Sequence, residues 1–199
     1  MARLSPELLI SGYVQGAFPM GVAGQIRWFS PDPRAIIPLE SFHASKTLLA
    51  TVRRGVYEIR VDSAFAEVMR RCAERDEGSW ITPSIHRSYG ELHEAGLAHS
   101  VEAWRGGDLA GGLYGVALGG AFFGESMFHR HRDASKVALV ALVQRLRERG
   151  YTLLDVQWST DHLRRFGCVE LPREEYLRRL AAALQQNCTF APHSSSERA

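Results

Sequence analysis

The segment from His99 to Trp158 switches its hydrophobic period from that of a strand to that of a helix and back, and this limits the folds open to the chain. His99 to Arg105 alternates, with Val101 and Ala103 on one face and Glu102 and Trp104 on the other. Gly106-Gly107-Asp108 reads as a turn, and Leu109–Leu118 and Ala121–Met127 flank Gly119-Gly120, the pattern of a hairpin. Ala134–Arg149 then carries Val137, Leu139, Val140, Leu142, Val143 and Leu146 at helical spacing, and Gly150 stops it before the apolar strand Leu153–Trp158. Three strands in a meander, a helix and a further strand predict an α+β sheet with helices packed on it. The same order builds the acetyltransferase-like (GNAT-type) mixed sheet, here as an analogy of order only.

The rest of the chain supplies helices and one more strand. Ser5, Pro6 and Glu7 are start signals for a helix ending at Gly16. Gly21–Pro38 reads as loop, because Pro31, Pro33 and Pro38 interrupt any ladder. A helix is expected over Ser45–Arg54 and a strand over Tyr57–Asp62. Ser63 is expected to cap a helix running to about Arg75, and Thr82–Ala95 to form another. A short helix over Asp161–Phe166 and a last one over Glu174–Leu184 complete the pattern. The expected division is a small N-terminal subdomain (1–33), an acetyltransferase-like catalytic domain (34–185) and a flexible tail (186–199).

A chain of 199 residues with 45% hydrophobic and 23% charged residues has the balance of a globular protein that folds without disulfides. Its three cysteines form no CxxC pair, and no apolar signal core or membrane-length stretch appears, so a cytoplasmic setting is expected. The eight histidines are scattered without metal-ligand spacing, and no GxSxG, Walker or GxGxxG motif occurs, so no metal and no cofactor is expected. The net charge of +2 does not announce a nucleic-acid binder, although arginines cluster locally, Arg130 and Arg132 among them.

Four segments carry residue types that packing alone does not require: Gly12–Met20 leading into Trp28–Arg34, Gly78–Thr82, Phe122–Phe128, and Leu153–Gln157 with Asp161-His162 after it. Asp155 and Gln157 share one side of an apolar strand, where a buried carboxylate and amide need partners. They read either as a satisfied polar pair or as a patch facing a cleft. Glu125, among aromatic and sulfur-bearing neighbours, reads either as an ion pair with an arginine or as a seat for a cationic amine. Trp80, before a helix start, suits stacking or plugs the helix end.

Together these segments resemble the leucyl/phenylalanyl-tRNA–protein transferase family of bacteria, from about Leu8 to about Leu180. The resemblance implies transfer of Leu or Phe, sometimes Met, from aminoacyl-tRNA to the N-terminal Lys or Arg of acceptor proteins, marking them for degradation. It implies an acetyltransferase-like fold with a small N-terminal appendage, acting as a monomer with no membrane partner. On this resemblance Asp155, Gln157 and Glu125 are the catalytic candidates. Trp80 falls near the tRNA 3′ end. Phe122, Met127, Leu139, Leu142, Leu113 and Leu154 line an apolar aminoacyl pocket, with Met20 and Trp28 on its other side. Met20 stands where some relatives have Trp, which bears on the preference among Leu, Phe and Met. Arg130, Arg132 and Lys136, at the start of a helix, are candidates for a tRNA phosphate.

Two rivals remain at this level. A CoA-dependent N-acyltransferase shares the sheet order, but Arg130–Lys136 lacks the glycines of a pyrophosphate loop. A non-catalytic RNA-binding module conflicts with Glu125 and Asp155, whose charges repel phosphate.

Overall fold

The computed structural model describes residues 4–74 and 78–191. Its elements, in chain order, are α1 (Pro6–Val14), β1 (Phe18–Val22), β2 (Gln25–Phe29), β3 (Arg34–Ile36), α2 (Lys46–Arg53), β4 (Glu58–Val61), α3 (Phe65–Ala73), α4 (Pro83–Glu94), β5 (Ala98–Arg105), β6 (Asp108–Leu118), β7 (Ala121–His129), α5 (Ala134–Glu148), β8 (Leu153–Gln157), α6 (Asp161–Arg164), β9 (Val169–Leu171) and α7 (Arg173–Leu184). Seven strands form one mixed sheet in the order β4-β5-β6-β7-β8-β3-β9, and β1 and β2 form a separate hairpin. Strands β4 to β7 are an antiparallel meander, and α5 is the crossover that brings β8 parallel to β7. This mixed α+β sheet, covered by helices, is compatible with the acetyltransferase-like plan.

Helix starts follow the capping rules. Ser5 Oγ accepts from Leu8 N at 3.3 Å, Thr82 Oγ1 from Ile85 N at 3.3 Å, and Thr160 Oγ1 from Leu163 N at 3.2 Å. Ser63 does not cap α3: the N-cap position is Ala64, with no side-chain bond, and Ser63 Oγ turns back to Val61 O. The cap's work is done instead by buried Glu102, whose Oε1 accepts from Ala64 N at 2.8 Å. Helix α3 ends at Ala73, and Arg75 lies outside the described residues.

Two stretches read as loop are ordered strands. Ala23 and Gly24 both have positive φ and join Val22 to Gln25, so Phe18–Val22 and Gln25–Phe29 close as a two-residue hairpin. Arg34–Ile36 is a fully buried strand between β8 and β9, with Pro33 just outside the ladder. The short β9 has no counterpart in the sequence pattern either.

The sheet separates two cores. One face packs α5, with Leu139, Leu142 and Leu146, against Leu113, Phe122 and Leu154. The other face joins Tyr89, Phe123, Leu153 and Tyr176 with Leu9, Tyr13 and Phe18 from the first 33 residues, so the N-terminal appendage shares the main core. Within residues 186–191, expected as frayed, Phe190 is anchored: it is 2% exposed, and its ring lies 4.5 Å from His99 and 5.1 Å from Phe122, while Gln186, Asn187 and Thr189 are exposed. The rest of the expected tail, 192–199, lies outside the described residues.

One local irregularity opens the sheet between β7 and β8. The two strands pair only from Ala121/Leu153 to Phe123/Asp155. Beyond that point Gly115 pairs with Gly124 while Tyr114 pairs with Ser126, so Glu125 is the extra residue of a β-bulge. The insertion reverses the alternation, placing Met127 on the α5 face although Phe123, four residues earlier, belongs to the opposite core.

Candidate active site

Where β7 and β8 part, a cavity of about 380 Å³ runs between the two faces of the sheet. Its α5 side is formed by Leu113, Met127, Leu139, Leu142 and Leu154, and the other side by Phe18, Met20 and Trp80. Thr160, His162 and Leu163 from α6 and its cap complete it, with the half-exposed Trp158. Among the described residues Glu125 is the one carboxylate in the lining, and Gln157 lies beside it. The size and apolar character suit a small organic group.

Glu125 is held by two tyrosines rather than by an arginine. Tyr13 Oη donates to Oε1 at 2.7 Å and Tyr89 Oη to Oε2 at 3.2 Å, and the two hydroxyls also meet each other. Gln157 Nε2 donates to Oε1 at 3.4 Å. Burial pushes the Glu125 carboxyl up to about 7, with the charge of Asp155 adding to it, while the tyrosine bonds and Arg34 pull the other way. Burial and the adjacent carboxylate hold both tyrosine hydroxyls protonated, well above their ordinary range.

Asp155 has a different setting. It is fully buried behind the cavity wall and paired with Arg34, which lies between the rings of Phe18 and Tyr176 at 4.8 and 4.6 Å. Burial acts to discharge Arg34, but the bonds and charge of Asp155 outweigh it and keep the guanidinium cationic. Strand alternation predicted that Asp155 and Gln157 face the same way. Gln157 adopts φ +60°, and its side chain lines the cavity and donates to Glu125, while Asp155 is paired in the core behind it.

Of the expected pocket residues, Leu113, Met127, Leu139, Leu142, Leu154, Met20 and Trp80 come together in the cavity lining. Phe122 does not. It lies on the same sheet face, but its ring is stacked on Phe190 and filled against Gly115. Trp28 is also elsewhere: its ring covers Gly12, where a β-carbon would sit 2.0 Å from it, so that glycine leaves room for the indole. Arg130, Arg132 and Lys136 lie at the N-terminus of α5, with Arg132 almost wholly exposed and Lys136 paired to Asp133 at 2.8 Å. Burial lowers the His162 pKa, and the nearby charges of Lys136, Arg165 and His129 lower it further.

Arg34, Tyr89 and Tyr176 were not among the expected site residues, and neither was Tyr13. Arg34 and Tyr13 stand inside the sequence segments singled out. Tyr89 and Tyr176 sit at core positions of helices, where only the need of a buried hydroxyl for a partner hints at a polar role.

Comparison with known proteins is consistent along the chain. Residues 36–181 match the family model of leucyl/phenylalanyl-tRNA protein transferase, and residues 2–32 match that of its N-terminal domain. A leucyl/phenylalanyl-tRNA–protein transferase of Herpetosiphon aurantiacus is 59% identical over 94% of this chain and 98% of its own length. One from Rubrobacter xylanophilus is 56% identical over 95% and 100%, respectively. Among solved structures, L-PGS from Bacillus licheniformis aligns with 66% of this chain and 49% of its own at 16% identity, with a TM-score of 0.43. The class is that of aminoacyltransferases on a mixed α+β sheet. The chain belongs to the leucyl/phenylalanyl-tRNA protein transferase family.

Proposed function

We propose that the protein moves Leu or Phe, and Met to a lesser degree, from aminoacyl-tRNA onto the N-terminal Lys or Arg of acceptor proteins in the cytoplasm, marking them for degradation. The observation that carries this reading is the apolar cavity in which the Glu125 carboxyl, of raised pKa, stands beside the Gln157 amide. The aminoacyl side chain occupies the space between Met20, Leu139 and Leu142, and Trp80 meets the terminal base. Residues 1–33 close one side of this site on the transferase part, 34–185.

The chemistry is aminolysis of an ester. The acceptor's α-amine nitrogen attacks the ester carbonyl carbon, a C–N bond forms, and the bond to the tRNA ribose oxygen breaks. Glu125 takes the amine proton, which returns to the departing oxygen, so no proton is left over. A carboxyl with a pKa near the working pH suits both transfers. Gln157 has no basic nitrogen, so its amide holds the amine or the developing oxyanion. Because the ester is already activated, bringing the partners together supplies much of the acceleration, up to about 7–11 kcal/mol. Arg130, Arg132 and Lys136 contact phosphates without reading sequence.

The test is a transfer assay with radiolabelled leucyl-tRNA and peptides beginning with Lys, Arg or Ala. Label on the Lys and Arg peptides alone establishes the reaction and its acceptor rule. Transfer to none of them, with tRNA still bound, replaces this reading with that of a binding module.

A further inference from the structure

The Asp155 carboxylate has no acceptor position left free. Oδ1 receives Arg34 Nε and the backbone N–H of Gln157, both at 2.9 Å, and Oδ2 receives Arg34 Nη2 at 2.6 Å and Tyr176 Oη at 2.8 Å. A carboxylate offers about four lone-pair sites, and four donors occupy them. The donors are themselves fixed. Arg34 Nη1 ends on Gly16 O at 2.8 Å. Asp32, two residues before Arg34, accepts from Arg173 N at 3.1 Å at the start of α7, and Arg173 Nη2 reaches Ser30 O at 2.5 Å. The Ser30–Arg34 segment and the helix that carries Tyr176 are therefore tied to each other before either reaches Asp155.

The consequence falls on Gln157. Its N–H is bound to Asp155, its φ is +60°, and Trp158 N donates to Val156 O at 2.7 Å across it, closing a three-residue turn. A residue with a β-carbon stays in that conformation only where its surroundings over-determine it. The turn ends β8 at the point where it has parted from β7 and sends the Gln157 side chain toward Glu125.

We infer that Arg34, Asp155 and Tyr176 are positioning residues for the transfer reaction: they clamp the Gln157 backbone in its left-handed turn and so aim its amide into the cavity, and none of the three exchanges a proton with substrate. The contact from Asp155 to Gln157 runs to the backbone N–H, not to the side-chain amide, so there is no path for a proton to pass from substrate through that amide to Asp155. Placing the clamp in the reaction rests on the proposed transfer activity. The conformation it enforces does not.

The experiment uses the full chain with Tyr176→Phe, Arg34→Lys and Asp155→Asn, assayed with leucyl-tRNA and a peptide beginning with Arg. Removing the single tyrosine donor is expected to lower kcat about tenfold, with both KM values unchanged. The midpoint of the rate–pH profile is expected to stay where it is in the parent for all three variants. In parallel, selective 15N-glutamine labelling follows the Gln157 backbone amide, assigned by its loss in Gln157→Asn. Its resonance is expected to move upfield and its hydrogen exchange to quicken in Tyr176→Phe, while the thermal midpoint shows a folded protein. If Arg34→Lys does not fold, Tyr176→Phe alone decides.

An unchanged Gln157 amide in the folded variants overturns the clamp. So does an unchanged kcat. Loss of the ionisation from the rate–pH profile in Asp155→Asn, with Tyr176→Phe retaining it, overturns the inference in favour of Asp155 as proton acceptor. A parent that transfers nothing removes the transfer reading, but the amide readout still tests the clamp, and movement of that resonance supports it.

Discussion

Asp155 and Glu125 stand on neighbouring strands on either side of the same split in the sheet, and their surroundings differ in kind. Asp155 is matched by a guanidinium fork, a tyrosine and a backbone N–H, all in the core. Glu125 has two neutral hydroxyls and a long contact to an amide, and it faces a cavity. A fully paired carboxylate is a fixed charge around which backbone is built, whereas one buried without a cation is reluctant to ionise and can take up a proton near neutral pH. The roles proposed above follow this difference, structure for Asp155 and proton transfer for Glu125, although the resemblance made both catalytic candidates.

The comparison can be broken most severely at Arg34. Arg34→Met leaves Asp155 charged and unpaired in the core, and the expected loss is about 3–5 kcal/mol of unfolding free energy by denaturant titration. Adding Asp155→Asn should recover part of it. A single variant as stable as the parent would mean that Asp155 is not held as described.

At Glu125 the expected result is opposite in stability and larger in activity. Glu125→Gln should lower kcat/KM about 100-fold. Its effect on stability depends on pH. The folded carboxyl titrates near 7 against an ordinary value of 4.5, so its favourable protonated state is fully present below 4.5 and lost as pH rises through 7. Glu125→Gln removes that loss, so the variant should gain on the order of 2 kcal/mol over the parent at pH 8 and little at pH 4. Unfolding titrations at the two pH values check this.

A narrower pocket sharpens the reading of the cavity. Leu139→Phe should disfavour Phe relative to Leu as donor side chain, by about 1–3 kcal/mol in the ratio of kcat/KM values. Equal losses for both donors would place the side chain elsewhere. The smallest effect is expected at the exposed end of α5. Arg132→Ala should weaken tRNA binding by a few-fold and reduce the slope of log affinity against log salt by about 1, measured by filter binding at several salt concentrations.

Much of the fold is legible in the sequence, because periodicity and capping are local. The meander, α5 and β8 follow from alternating residues, the Gly119-Gly120 turn and the helix stop at Gly150, and Glu125 and Gln157 stand out as polar residues in apolar strands. The hairpin Phe18–Phe29 and strand β3 are not legible. Pro31, Pro33 and Pro38 make the stretch from Gly21 onward read as loop, and strand β3 has three buried residues, too few to show a period. Only the tertiary structure decided which face each site residue meets. A one-residue bulge at Glu125 reverses the alternation that sequence reasoning relies on, and a positive-φ turn at Gln157 ends β8 and aims its amide at Glu125. Both depend on partners distant in the chain: Tyr13 and Tyr89 for the first, Arg34 and Tyr176 for the second. The sequence determined which chemical groups are present and which strands and helices carry them. Long-range hydrogen bonding decided that one carboxylate would be paired in the core and the other left to face the cavity, because only the packed chain brings the buried Arg34 guanidinium to Asp155 and not to Glu125.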